Sequence, residues 1–294
     1  MQQFNAIAGL PRAGTTLLCN ILNQNPEFFA SSTSPLPRFL GTLTDVWGSS
    51  VEVKGALGDD RTATESKIYR CNKAFMDAYY ADRNERVVFD KSRAWNIYFL
   101  QLRKLYPQSK LIVPVRDLRD VMASIEKQHR KNPLLDDVPA TKSTLMSRFN
   151  RMLSKDGLVG VHLNGIKDLI DRKEECLFVR YEDLVEFPEQ VLNRIYCYLL
   201  EEEFEHDLEN VVNVATDPDH LYLNKFPHTG SGKVTKSESQ WGSYFSTEIA
   251  QGIVNTYPWF FKKFGYAAET PNPKDVGFAS EDAQVEDARV EEIA

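Results

Sequence analysis

Residues Gly9-Leu10-Pro11-Arg12-Ala13-Gly14-Thr15-Thr16 lie between a short apolar run, Phe4 to Ala8, and an apolar helical pattern. Strand, glycine-framed turn and helix together make a phosphate cradle. Backbone N–H groups converge on the anion, and the helix N-terminus adds unpaired donors and its positive dipole end. The nucleoside-triphosphatase form of this loop reads GxxxxGK[ST], with the lysine on the β and γ phosphates and the hydroxyl on magnesium. Here Thr15 occupies the lysine position. Positive charge on a transferring group must therefore come from elsewhere, and Arg12 is the nearest source. The two glycines alone would equally suit a tight turn without a ligand. It is Arg12, Thr15 and Thr16, in their strand-turn-helix context, that favour an anion.

A second constellation is Leu111-Ile112-Val113-Pro114-Val115-Arg116-Asp117, a buried-strand pattern that ends in an arginine. In a parallel sheet the C-terminal strand ends face the ligand crevice, so Arg116 is expected beside the phosphate loop. Ser124 follows two helical turns later, and a guanidinium with a hydroxyl clamps a terminal phosphate. The alternative for Arg116 is an ion pair with Asp117 or Asp120.

Positioning these groups requires a regular scaffold. Phe4 to Ala8, Arg86 to Phe89, Lys110 to Val115 and Cys176 to Arg180 read as strands. Thr15 to Leu22, Ala94 to Leu105, Leu118 to Lys127 and Phe187 to Leu200 carry apolar residues at helical spacing. Alternation of the two predicts an α/β fold, a P-loop-like parallel sheet flanked by helices on both faces. Between Gly41 and Thr64, and again over residues 217 to 240, the pattern is weak and loops are expected.

Composition narrows the class. The 294 residues are 42% hydrophobic and 26% charged, ordinary for a globular protein, and no apolar run approaches the roughly 20 residues that span a bilayer. Most of the net charge of −7 falls in residues 269–294, read as an acidic flexible tail, which leaves 1–268 nearly neutral as the catalytic domain. A neutral body gives no reason to expect nucleic acid as a partner. Cys19, Cys71, Cys176 and Cys197 form no zinc spacing and read as reduced core thiols, and the histidines are scattered, so no metal is expected. The opening residues lack a signal-peptide pattern, which points to a cytoplasmic location.

With these residues in view, the chain resembles the sulfotransferase family, which moves a sulfuryl group from 3′-phosphoadenosine 5′-phosphosulfate (PAPS) to an acceptor. The 9–17 segment is similar to its 5′-phosphosulfate loop, with Pro11, Arg12, Ala13, Gly14, Thr15 and Thr16 at the binding positions. Val115-Arg116-Asp117 through Ser124 resembles its 3′-phosphate motif. Val179-Arg180-Tyr181-Glu182-Asp183-Leu184 is similar to a third segment, which implies that Tyr181 lies near the nucleotide. Thr229-Gly230-Ser231-Gly232-Lys233-Val234 more loosely resembles a late loop over the nucleotide, where Lys233 or Lys236 would meet the 3′-phosphate.

Arg12 in the loop brings the chain closest to the tyrosylprotein branch. Asp90-Lys91-Ser92-Arg93 then resembles that branch's Asn-Lys-Asp-Pro, and Lys91 inherits the catalytic-lysine role, supplying the cation that the loop lacks. Its alternative is a surface lysine paired with Asp90. One departure stands out. The branch's glutamate base is missing from Ala30-Ser31-Ser32-Thr33-Ser34-Pro35-Leu36, and Asp90, Asp45 and His129 are the substitutes considered. The resemblance implies PAPS as donor, Arg12 and Lys91 as catalytic cations, no metal, and a small-molecule, lipid, glycan or peptide acceptor. The rivals are a P-loop kinase, which should show a loop lysine and an acidic magnesium ligand, and an inactive nucleotide-binding homologue.

Overall fold

The computed structural model describes residues 3–131, 144–215, 232–236 and 238–270. These fall into two compact units, residues 3–115, 153–215 and 232–235 in the first and 116–131, 144–152, 236 and 238–270 in the second.

The first unit is built on a sheet of β1 (Gln3–Ile7), β2 (Phe28–Thr33), β3 (Val87–Lys91), β4 (Leu111–Val115) and β5 (Leu177–Arg180). Their order is β2-β3-β1-β4-β5, and every neighbouring pair is parallel. The expected α/β sheet is present, with one strand more than the sequence patterns showed. Phe28–Thr33 reads FFASST, an apolar pair diluted by hydroxyl residues, which gives no alternation to detect.

Helices cover both faces. Against one lie α1 (Thr15–Leu22), α9 (Tyr181–Glu186) and α10 (Pro188–Leu199), whose Leu18, Ile21, Leu184, Leu192 and Ile195 share a core with Ile7, Val87, Phe89, Ile112 and Val179. On the other, α5 (Trp95–Leu105) packs with α8 (Gly160–Asp171) through buried Phe99, Leu102, Leu163 and Ile166. Burying each such side chain contributes about 1.5–3 kcal/mol.

The weak stretch after Gly41 is helical, contrary to the expected loop: α2 (Leu36–Ser49), α3 (Val51–Asp59) and α4 (Arg61–Tyr79) occupy it. Its sequence signal is faint because these helices bury little, Leu36, Pro37, Leu40 and Gly41 from α2, nothing from α3, and Asn72 and Met76 from α4. Caps define them instead. Ser50 Oγ accepts from Val53 N and Asp60 Oδ1 from Ala63 N, at 3.2 and 3.0 Å.

The second unit contains α6 (Leu118–Lys131), most of α7 (Leu145–Leu153), a 3₁₀ turn at Trp241–Ser243, α11 (Thr247–Thr256) and α12 (Pro258–Phe264). Of the expected loop over 217–240, residues 217–231 and 237 lie outside the described residues, as does the tail after Thr270. All four cysteines are free, but only Cys19 is buried; Cys71 and Cys197 are exposed, which corrects the expectation of core thiols. Those two lie on the outer faces of α4 and α10.

Candidate active site

The cradle follows directly from β1. Leu10 N donates to Pro114 O at 3.2 Å, tying the loop to β4, and Ala13 N donates to Leu10 O at 3.3 Å, closing the turn. Gly9 is required because a Cβ there would sit 2.5 Å from Pro114 O. Gly14 is required twice over. Its φ is +77°, and an added Cβ would lie 2.6 Å from Tyr181 Cδ2. Arg12 adopts a φ of 62° without being glycine, a strained conformation of a kind that clusters at ligand clamps. Helix α1 opens at Gly14 with no side-chain cap and no acidic residue in its first turn, so its terminal N–H groups and positive dipole end face the cradle uncompensated by protein charge.

Lys91 is the last residue of β3, and strand alternation decides where it points. Parallel pairing sets Ile7 beside Lys91 and Ala6 beside Asp90. Lys91 shares a face with Val87 and Phe89, the side packed by α1, whereas Asp90 faces the other way. The consequence is a bond from Lys91 Nζ to Thr16 Oγ1 of 2.9 Å, the direct link between the lysine and the loop. Lys91 is only 5% exposed, which overturns the surface-lysine alternative. Its backbone is pinned as well: Lys91 N donates to Ser31 Oγ, and Ser34 N donates to Lys91 O, each at 2.9 Å.

Asp90 is fully buried on the opposite face. Tyr80 Oη donates to its Oδ2 and Trp95 Nε1 to its Oδ1, both at 2.6 Å. Burial pushes the carboxyl above its usual range, while hydrogen bonds from Ser34, Tyr80 and Trp95 oppose that shift. With both oxygens committed, Asp90 is built to hold the end of β3 rather than to meet an acceptor. Asp45 is exposed on α2, and His129 lies in α6, in the second unit.

Within the second unit, Arg116 and Ser124 are half-buried and eight positions apart in sequence, Arg116 just before α6 and Ser124 within it. Asp117 is engaged by Arg119, Nε to Oδ1 at 3.0 Å and Nη2 to Oδ2 at 2.5 Å, so one of the two carboxylates expected to pair with Arg116 is bound by Arg119. Lys233, in the first unit, is exposed and ion-paired with Glu209. Its predicted neighbours Thr229, Gly230 and Ser231 lie outside the described residues.

The structure thus joins the loop, Thr16, Lys91 and Tyr181 in one unit and keeps Arg116 with Ser124 in the other. Ser31, Ser34, Tyr80 and Trp95 escaped the sequence reading. Only the hydroxyl-rich run at 31–34 hinted at them, and it was read for a missing carboxylate rather than for hydroxyls that anchor backbone.

Known proteins resemble this chain in sequence and in fold. A curated Caenorhabditis briggsae protein, provisionally assigned as a protein-tyrosine sulfotransferase, is 25% identical over 292 residues, covering 96% of this chain and 95% of its own. Chicken protein-tyrosine sulfotransferase 2 is 28% identical over 200 residues, 66% of this chain, which spans half of that protein's length. The fold matches the sulfotransferase domain of the curacin biosynthetic pathway (TM-score 0.55, 18% identity, 88% of this chain and 98% of that one). It also matches mouse sulfotransferase SULT7A1 complexed with PAP (TM-score 0.50, 14% identity, 89% and 85%). A family profile described as "Sulfotransferase family" matches residues 6–206, more than half of the chain, in the same stretch that carries the cradle, Lys91, Arg116 and Tyr181, and the protein belongs to the sulfotransferase family.

Proposed function

We propose that the protein transfers a sulfuryl group from PAPS to a hydroxyl by direct in-line displacement, with a peptide tyrosine as the acceptor. The observation that carries this reading is the Lys91 Nζ to Thr16 Oγ1 bond, which sets a mobile cation against a phosphate loop that lacks its own lysine. The new S–O bond forms as the bond from sulfur to the bridging phosphate oxygen breaks, and the proton of the acceptor hydroxyl passes to solvent. Lys91 stabilises the charge that develops on that oxygen, Arg12 faces the sulfonate, and loop N–H groups with Thr15 and Thr16 hold the 5′-phosphate. Arg116 and Ser124 hold the 3′-phosphate. Such a transfer needs positioning and charge rather than covalent help. The names of the relatives support tyrosine as acceptor.

Calorimetry with adenosine 3′,5′-bisphosphate (PAP), with and without EDTA and beside ATP, tests the donor. Binding unchanged by EDTA and tighter than that of ATP is expected. Abolition by chelation, or preference for ATP, would favour a kinase.

A further inference from the structure

Asp120 and Ser124 stand one turn apart on one face of α6, and Arg116 lies in the two-residue link between β4 and α6, four residues before Asp120. A carboxylate between two groups that hold a phosphate would repel it unless its charge were already engaged. Here it is engaged. Asp120 is 6% exposed, and its Oδ1 accepts from Gln240 N at 2.8 Å and from Trp241 N at 3.2 Å. Burial pushes the carboxyl above its usual range, and the Arg116 charge, the Gln240 N–H and the Ser239 side chain oppose that shift. The other charged neighbour, Asp117, is taken up by Arg119.

The partners of Asp120 are not incidental to the fold. Gln240 and Trp241 open the 3₁₀ turn, and the Trp241 ring is buried beside Phe245, with centroids 6.0 Å apart. Lys127 Nζ adds a second tie from α6, to Gln240 Oε1 at 3.3 Å. A buried carboxylate that accepts two backbone N–H groups fixes both relative to the helix.

We propose that Asp120 is a positioning residue for the donor's 3′-phosphate: its hydrogen bonds hold residues 239–241 against the face of α6 that carries Ser124, and its charge orients Arg116 just before that helix. The inference rests on PAPS being the donor. Its sign is distinctive, because removing a negative charge next to an anion site ordinarily tightens anion binding, whereas here it loosens it.

The test is calorimetry of the whole chain with PAP and with adenosine 5′-phosphate, which lacks the 3′ group. Asp120→Asn keeps an oxygen for the two N–H groups and loses the charge. Expected are about tenfold weaker PAP binding, unchanged adenosine 5′-phosphate binding, and no further loss when Asp120→Asn is added to Arg116→Ala. PAP binding equal to or tighter than the parent's, equal loss for both nucleotides, or additive losses in the double variant would overturn the proposal. If the parent fails to prefer PAP, the donor reading itself falls and takes the inference with it. Should Asp120→Asn not fold, Asp120→Glu, which keeps the charge but displaces the carboxylate from the two N–H groups, is expected to weaken PAP binding and leave adenosine 5′-phosphate binding unchanged, and unchanged PAP binding would overturn the proposal.

Discussion

Lys91 Nζ and Thr16 Oγ1 meet at 2.9 Å although 75 residues separate them, because β1 and β3 pair in parallel with their C-terminal ends in register. The side chain that supplies the charge and the loop that receives the anion are therefore set by the same sheet. Lys91→Ala should lower turnover about a hundredfold to a thousandfold, the effect of deleting one preorganised donor, while PAP affinity changes little. Steady-state kinetics beside calorimetry separates the two; an affinity loss as large as the rate loss would make Lys91 a nucleotide-binding residue.

Gly14→Ala is expected to damage the cradle through two causes at once, its φ of +77° and the Tyr181 ring behind it. The left-handed conformation alone costs about 1–2 kcal/mol for a residue with a Cβ. Pairing it with Tyr181→Ala, which removes the ring, should recover part of the melting temperature. No recovery in the double variant would show that the ring yields freely.

Arg116→Ala should weaken PAP binding by about 2–3 kcal/mol and Ser124→Ala by about 1 kcal/mol, the ranges for charge-assisted and neutral hydrogen bonds. Thermal melts should stay close to the parent's. A sharp fall in melting temperature with unchanged affinity would make Arg116 a structural residue.

His162 gives the fold a pH signature. It is buried on α8, where desolvation and the nearby Arg93 charge hold its imidazole down to about 4, against a hydrogen bond to the Arg93 backbone that raises it. Between pH 6.5 and 4 the unfolded chain takes a proton that the folded ring refuses, so this contribution falls as pH falls. At pH 5 the loss is about 2 kcal/mol. Urea unfolding at pH 7.5 and 5 should show it in the parent and not in His162→Gln; equal losses in both would assign it elsewhere.

Strands ending in chemistry were the legible part of the sequence. β1 and β4 are apolar runs that lead into a glycine loop and an arginine, β3 is an apolar run that ends in Asp90 and Lys91, and periodicity with loop spacing suffices to find them. β2 was not legible, since its hydroxyl residues break the apolar pattern and Ser31 serves to accept from Lys91 N. Helices α2 to α4 were missed for a related reason: polar caps and narrow buried stripes stabilise them, and neither produces a strong apolar period. The role of Asp90 was out of reach as well. Its partners Tyr80 and Trp95 flank it by ten and five residues, and nothing in their spacing reveals that both donate to one carboxylate.

Label transfer from radiolabelled PAPS to a tyrosine-containing peptide, followed in a single turnover by the parent chain and by Lys91→Ala, tests the proposed chemistry most directly. Transfer by the parent without added metal, with the rate reduced at least a hundredfold in Lys91→Ala, is the result that the Lys91–Thr16 geometry predicts. Transfer at the parent rate by Lys91→Ala would contradict it.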